Sequence, residues 1–206
     1  MIEVHHLNNS RSQRVLWLLE ELETPYTIVG YEREPSMFAP AALKGIHPLG
    51  KSPVIRDGER VIAESAVIVE YLLAQYGKGS LVVNADSPLY WKFRYWMHYA
   101  EGSLMPQLLL KMYMGRIGDA AGKVAARVES QVALHLGFVE QELGDDSYLA
   151  GEFTAADIQM SFPLEVAAAQ RLINDRHPKL QSLLARLHQR PAYQRALERG
   201  GKYDYA

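Results

Sequence analysis

Ile2-Glu3-Val4-His5-His6-Leu7-Asn8-Asn9-Ser10-Arg11-Ser12-Gln13-Arg14 decides how the first half of this chain folds. Ile2–Leu7 reads as a short strand. Beyond the polar cluster, Val15, Leu18, Leu19 and Leu22 recur at i, i+3, i+4 and i+7, which is one face of a helix. Asn9 and Ser10 are N-cap residue types, and Ser10-Arg11-Ser12-Gln13 fits the S-x-x-Q capping box. The chain is therefore expected to turn from strand into helix at a group of hydroxyls and amides. Free N–H groups and the positive end of the helix dipole favour an anion there.

Outward from that point the pattern stays alternating. Pro25–Val29 is β-prone behind a proline stop. Glu32–Leu49 is punctuated by Pro35, Pro40 and Pro48, with room for one short helix over residues 36–44. Gly50-Lys51-Ser52-Pro53 feeds a strand over Val54–Arg56. Asp57-Gly58 is a two-residue hairpin signal, so Arg60–Ala63 should pair back antiparallel. Glu64-Ser65 then opens a helix with Val67, Ile68, Tyr71 and Leu72 on its buried face. The order β-α-β-α-β-β-α joins a parallel βαβ unit to a hairpin. Residues 1–79 form the expected first domain and 80–86 the linker.

Residues 87–206 read as helical throughout. Ser87-Pro88 marks a start, and Pro106 should kink the helix that follows. Asp119 is the expected cap of a second long helix carrying Val124, Val128, Val132 and Leu136. Thr154-Ala155-Ala156-Asp157 caps a third, and Pro178 and Pro191 open two more.

Composition narrows the class. The 206 residues are 48% hydrophobic, enough for a sizeable core, and the 22 basic and 24 acidic residues leave a net charge of −2. No basic block marks a nucleic-acid or anionic-membrane face. The N-terminus shows no signal-peptide pattern and no apolar run approaches a bilayer span, so a cytoplasmic protein without membrane or nucleic-acid partners is expected. With no cysteine, disulfides, thiolate-ligated metals and a cysteine nucleophile are excluded. The histidines lack ligand spacing, and no metal is expected. Phosphate-loop, G-x-S-x-G and G-x-G-x-x-G patterns are absent.

Three short stretches could carry chemistry, and each has a plain structural alternative. At Asn9, Ser10 and Ser12 the alternative is helix capping; a capping Oγ nonetheless keeps its own proton to donate. Lys51-Ser52-Pro53 is either the start of an edge strand or a cis-proline turn whose main chain pairs with an extended peptide. Glu64-Ser65 is either a cap or a receptor for an amino acid, with helix N–H groups and the Ser65 hydroxyl for its carboxylate and Glu64 for its ammonium.

In this order the three stretches, with His47-Pro48-Leu49-Gly50 and Leu149–Asp157, resemble the glutathione S-transferase family over essentially the whole chain. The resemblance is to soluble bacterial-type, serine-type members. It implies a thioredoxin-like N-terminal α/β domain, an all-helical C-terminal domain, a homodimer and a detoxifying role. It also implies glutathione as co-substrate with a small hydrophobic electrophile. Ser10 matches the serine that donates to the glutathione sulfur, with Asn9 and Ser12 close enough to compete. Pro53 matches the cis-proline, and Ser52 the residue whose main chain pairs with the cysteinyl part. Ser52 departs from the usual branched apolar residue. Glu64 and Ser65 match the pair holding the γ-glutamyl end, and Lys51 suits the glycine carboxylate. Met105 and Leu109 are expected to line the electrophile pocket. Thr154 and Asp157 match a structural capping motif. Glutathione peroxidase activity is compatible with this reading. Two alternatives stay open: a non-catalytic binding or regulatory dimer, and a glutathione-dependent isomerase or dehalogenase. The latter's Ser-Ser-Cys run is replaced here by Asn9-Ser10-Arg11.

Overall fold

A computed structural model describes residues 1–36 and 38–206. It divides into two compact units. The first comprises Met1–Val82 with Leu187–Ala206, and the second Val83–Arg186.

The first unit is built on strands β1 (Ile2–Leu7), β2 (Tyr26–Tyr31), β3 (Val54–Asp57) and β4 (Arg60–Ala63), in sheet order β2-β1-β3-β4. β1 pairs parallel with β2, from Ile2↔Tyr26 to Leu7↔Tyr31, and antiparallel with β3; β3 pairs antiparallel with β4. The expected βαβ unit and hairpin are both present. The hairpin loop is Gly58-Glu59, one residue later than expected, because Asp57 still pairs with Arg60. Gly58 takes φ +59°, which a side chain would resist. The expected short helix is one 3-10 turn, Ala41–Gly45, behind Pro40; Met37 lies outside the described residues.

Helices α1 (Ser12–Glu21), α2 (Ser65–Tyr76) and α8 (Pro191–Gly200) complete this unit. Periodicity predicts one buried face on α1, yet Leu16 and Trp17 are as fully buried as Val15, Leu18 and Leu19. The cause is α8. Tyr193 packs edge-on against Trp17 at 5.1 Å, and Arg190 pairs bidentately with Glu21 at 2.6 and 2.9 Å. Buried Glu20 accepts from Tyr26 Oη, Arg195 Nε and Arg199 Nη1, each at 2.8 Å. The expected single helical domain over 87–206 therefore ends early, since Leu187–Ala206 completes the first unit.

The second unit holds α3 (Tyr90–Tyr99), α4 (Met105–Ile117), α5 (Gly122–Leu143), α6 (Ala155–Ala169) and α7 (Pro178–His188), whose last turn passes into the first unit. Helix α3 begins at Tyr90 rather than at Ser87-Pro88, and α5 begins after a 3-10 turn, so Asp119 does not cap it. Val124 on α5 is exposed, as is Val67 on α2, against expectation. At the proline the chain makes a π-helical turn, Ala100–Leu104, in which Met105 N–H reaches back five residues to Ala100 C=O. Pro106 has no N–H to give to the preceding turn, and the wider turn absorbs that loss. The Thr154–Asp157 capping box forms as expected.

Candidate functional site

The register gathers the candidate residues at one end of the sheet. His5 of β1 pairs with Val54 of β3, which pairs with Ala63 of β4. Immediately beyond that row lie the β1–α1 turn, Ser52-Pro53 before β3, and Glu64-Ser65 after β4. Strands ~4.8 Å apart thus bring together groups separated by about fifty residues in sequence.

In the turn, the capping expectation is corrected. Helix α1 starts at Ser12, its N-cap is Arg11, and no side chain caps it. Ser10 Oγ instead accepts from the Ser12 N–H at 3.2 Å, and Gln13 N–H donates to the Ser10 carbonyl at 3.2 Å. The Gln13 side chain is buried, with neither amide atom hydrogen-bonded, so no capping box forms. Asn9 adopts φ +50°; its Nδ2 donates to Asp204 at 2.6 Å and its Oδ1 accepts from Asp204 N–H at 2.8 Å. Ser10 and Ser12 are 2.8 Å apart at their Oγ atoms and both are buried, Ser12 completely.

A histidine completes this group. Ser12 Oγ lies 2.8 Å from His6 Nδ1, and His6 Nε2 lies 3.1 Å from the Gly200 carbonyl at the end of α8. A carbonyl oxygen only accepts, so Nε2 carries the proton and Nδ1 of the neutral ring is the acceptor. Burial lowers the His6 pKa below its ordinary 6.5, and the Gly200 bond opposes that fall. Sequence reading missed this residue. The available signal was alternation along β1, which puts His6 on the same face as Ile2 and Val4.

Ser52 Oγ donates to His5 C=O at 2.9 Å and, with Ser12 Oγ, shares the Leu7 N–H at 3.3 Å. Its main-chain N–H and C=O make no hydrogen bond among the described residues. The Ser52-Pro53 peptide is cis, as the resemblance implies. Lys51 is exposed beside it. Glu64 sits at the N-cap of α2 with φ +70° and ψ 119°, strained for a residue with a side chain, and makes no capping bond. Ser65, buried, opens the helix. Because Ile68 N–H is the first to reach back, to Glu64 C=O, the N–H groups of residues 65–67 remain for an anion.

In the helical unit Met105 is buried and Leu109 half-buried. A cavity of about 280 Å³ in that unit is lined by residues including Lys111, Glu129, Val132, Leu136 and His177, and by neither Met105 nor Leu109. Among the described residues no three His, Asp or Glu side chains are grouped to hold a metal, and no helix is long and apolar enough to cross a membrane.

Comparison with known proteins agrees with this layout. Family profiles for the glutathione S-transferase N-terminal and C-terminal domains match residues 10–75 and 102–191. Glutathione S-transferase 3 of Schizosaccharomyces pombe is 36% identical over 97% of this chain and 88% of its own. Glutathione S-transferase 1 of Saccharomyces cerevisiae is 35% identical over 81% of each chain. A crystal structure of a glutathione S-transferase from Actinobacillus pleuropneumoniae superposes with a TM-score of 0.91 at 34% identity, covering all of this chain and 95% of that one. The chain belongs to the glutathione S-transferase family, with a thioredoxin-like first domain and a helical second one. It is a glutathione transferase.

Proposed function

We propose that this enzyme binds glutathione across one end of the sheet and activates its thiol at Ser10 for attack on a small hydrophobic electrophile. The observation that carries this reading is the convergence of the Ser10 hydroxyl, the unused main chain of Ser52 and the open N-terminus of α2 at one end of the sheet. The cysteinyl main chain pairs with Ser52 beside Pro53. The γ-glutamyl carboxylate meets the first N–H groups of α2 and the Ser65 hydroxyl, and Glu64 meets its ammonium. Lys51 serves the glycine carboxylate. Among the three candidates for the sulfur, Asn9 spends its amide on Asp204 and Ser12 is completely buried, which favours Ser10.

The energetics are adequate. A thiol of pKa ~8.5 is about 3% ionised at pH 7, and a two-unit fall requires about 2.7 kcal/mol. One hydrogen bond to a charged sulfur supplies ~1.5–3 kcal/mol. The protein needs no cysteine because the substrate brings the sulfur. Met105 and Leu109 of α4 are proposed as apolar lining for the electrophile, and the enzyme as a cytoplasmic homodimer. A thiolate so activated also reduces organic hydroperoxides.

The test is Ser10→Ala, assayed with chlorodinitrobenzene and a hydroperoxide after retention on immobilised glutathione. Turnover should fall tens-fold, roughly 2 kcal/mol of transition-state stabilisation, with little change in glutathione KM. Unchanged turnover would transfer the role to Asn9 or Ser12.

A further inference from the structure

We propose that His6 receives the proton of the glutathione thiol through Ser10 and Ser12, a relay in which His6 and Ser12 are positioning residues acting through Ser10. The proposal rests on the reading that Ser10 faces the sulfur.

The hydrogen-bond directions carry it. Gly200 C=O holds the His6 proton on Nε2, so Nδ1 accepts from the Ser12 hydroxyl at 2.8 Å, a closer acceptor than the Leu7 C=O that the same hydroxyl reaches at 3.3 Å. Having given its proton inward, Ser12 Oγ accepts from the Ser10 hydroxyl at 2.8 Å and from the Leu7 N–H at 3.3 Å. Ser10 Oγ keeps one lone pair on the Ser12 N–H and has another for an incoming S–H. With Ser12 donating to Nδ1, the Ser10 and Ser12 hydroxyls both point towards His6.

The transfer then balances. The S–H bond breaks as its proton joins Ser10 Oγ. The Ser10 proton passes to Ser12 Oγ, and the Ser12 proton to Nδ1. The products are a thiolate and an imidazolium, with net charge unchanged. All the directions reverse: Nδ1–H donates to Ser12, Ser12 to Ser10, and Ser10 to the sulfur. The same hydroxyl that relays the proton thus ends as the donor that stabilises the anion. Once the sulfur has bonded to carbon its charge is gone, and the proton returns along the chain to water.

The surroundings of His6 make its charge depend on the thiolate. α1 presents Ser12 and Gln13 to this corner and α8 presents Gly200, all uncharged; a methyl placed on Gly200 would lie 3.4 Å from Nε2 and 2.7 Å from Gln13 Oε1. No charged neighbour contributes to the lowered basicity of the ring. The buried imidazolium is therefore disfavoured alone and sustained only beside the thiolate it creates.

The test compares His6→Gln, Ser12→Ala and Ser10→Ala in the full chain, each checked for folding by thermal unfolding. Gln keeps a donor for Gly200 and removes the base; Ser12→Ala breaks the chain without touching the ring, and serves if the histidine variant does not fold. The readouts are the ultraviolet thiolate absorbance of enzyme-bound glutathione at neutral pH and kcat/KM. His6→Gln and Ser12→Ala should each lose most of the thiolate signal and up to tens-fold in kcat/KM, no more than Ser10→Ala, with glutathione Kd within about twofold. Loss of the signal in Ser10→Ala with full signal in folded His6→Gln and Ser12→Ala overturns the relay and leaves the Ser10 reading standing. Full signal in Ser10→Ala overturns that reading, and the relay with it.

Discussion

Glu20→Ala should loosen α8 from α1 and the sheet of the first unit, and the structure sets the size of the effect. Burial opposes the charge of Glu20, but donation from Arg195, Tyr26 and Arg199 outweighs it and holds the carboxyl below its ordinary value. The partners differ in what they lose. Arg195 and Arg199 are nearly half-exposed and regain water when the carboxylate goes. Tyr26 is buried, and its hydroxyl is left without an acceptor. An orphaned buried hydroxyl costs ~1–3 kcal/mol, and the lost methylene packing adds about 0.8 kcal/mol. The sum is roughly 2–4 kcal/mol, which for a chain of this size lowers the melting temperature by about 5–12 °C. Trp17, packed on Tyr193, makes intrinsic fluorescence a direct reporter of α8 leaving α1. Tyr26→Phe removes the hydroxyl while the carboxylate keeps both arginines, so it should cost well under half as much. A Glu20→Ala protein melting within ~2 °C of the parent would refute the reasoning. So would a Tyr26→Phe loss equal to that of Glu20→Ala, because the carboxylate would then contribute nothing beyond accepting that hydroxyl.

Other predictions follow from single sites. Glu64→Gly relieves the φ +70° strain and should raise stability by ~1 kcal/mol while raising the glutathione KM several-fold, read by chemical denaturation and steady-state kinetics. Asp157 accepts the Leu149 and Thr154 N–H groups at 2.9 Å, so Asp157→Ala should cost roughly 2–5 kcal/mol and Thr154→Ala about 1 kcal/mol, measured as shifts in unfolding midpoint. The pKa of His6 lies below its unfolded value of 6.5. Below pH 6.5 the unfolded chain takes up a proton the native state refuses, so this contribution is full above that pH and is lost as pH falls towards the native value. Asp157 works in the opposite direction. Burial, against the N–H groups it accepts, pushes its carboxyl up to about 6, so its native state holds a proton the unfolded chain has released between about 6 and 3.8. The comparison of parent with His6→Gln isolates the histidine: acidification from pH ~7.5 to ~5.5 should cost the variant less stability than the parent.

Features coded within a few residues were legible without a structure. The Asp57-Gly58 turn announces a hairpin because a glycine is needed at positive φ, and Thr154-x-x-Asp157 announces a cap because both partners lie in one helical turn. The same local logic misread Ser10-x-x-Gln13. Nothing in those four residues tells that Gln13 will be enclosed near Gly200. It misread α1 likewise, since Leu16 and Trp17 look surplus to an amphipathic helix until α8 covers them.

The sequence by itself determined the strand and helix order, the candidate stretches at Ser10, Lys51–Pro53 and Glu64-Ser65, and the family they resemble, because turns, caps and periodicity are short-range chemistry. The tertiary structure alone decided that Leu187–Ala206 belongs to the first unit, that Asn9 is tied to Asp204, and that a histidine stands behind the two serines. His6 and Gly200 are 194 residues apart in the chain. Their hydrogen bond exists because packing α8 on α1 buries both ends of it, and no local pattern in either segment encodes that approach.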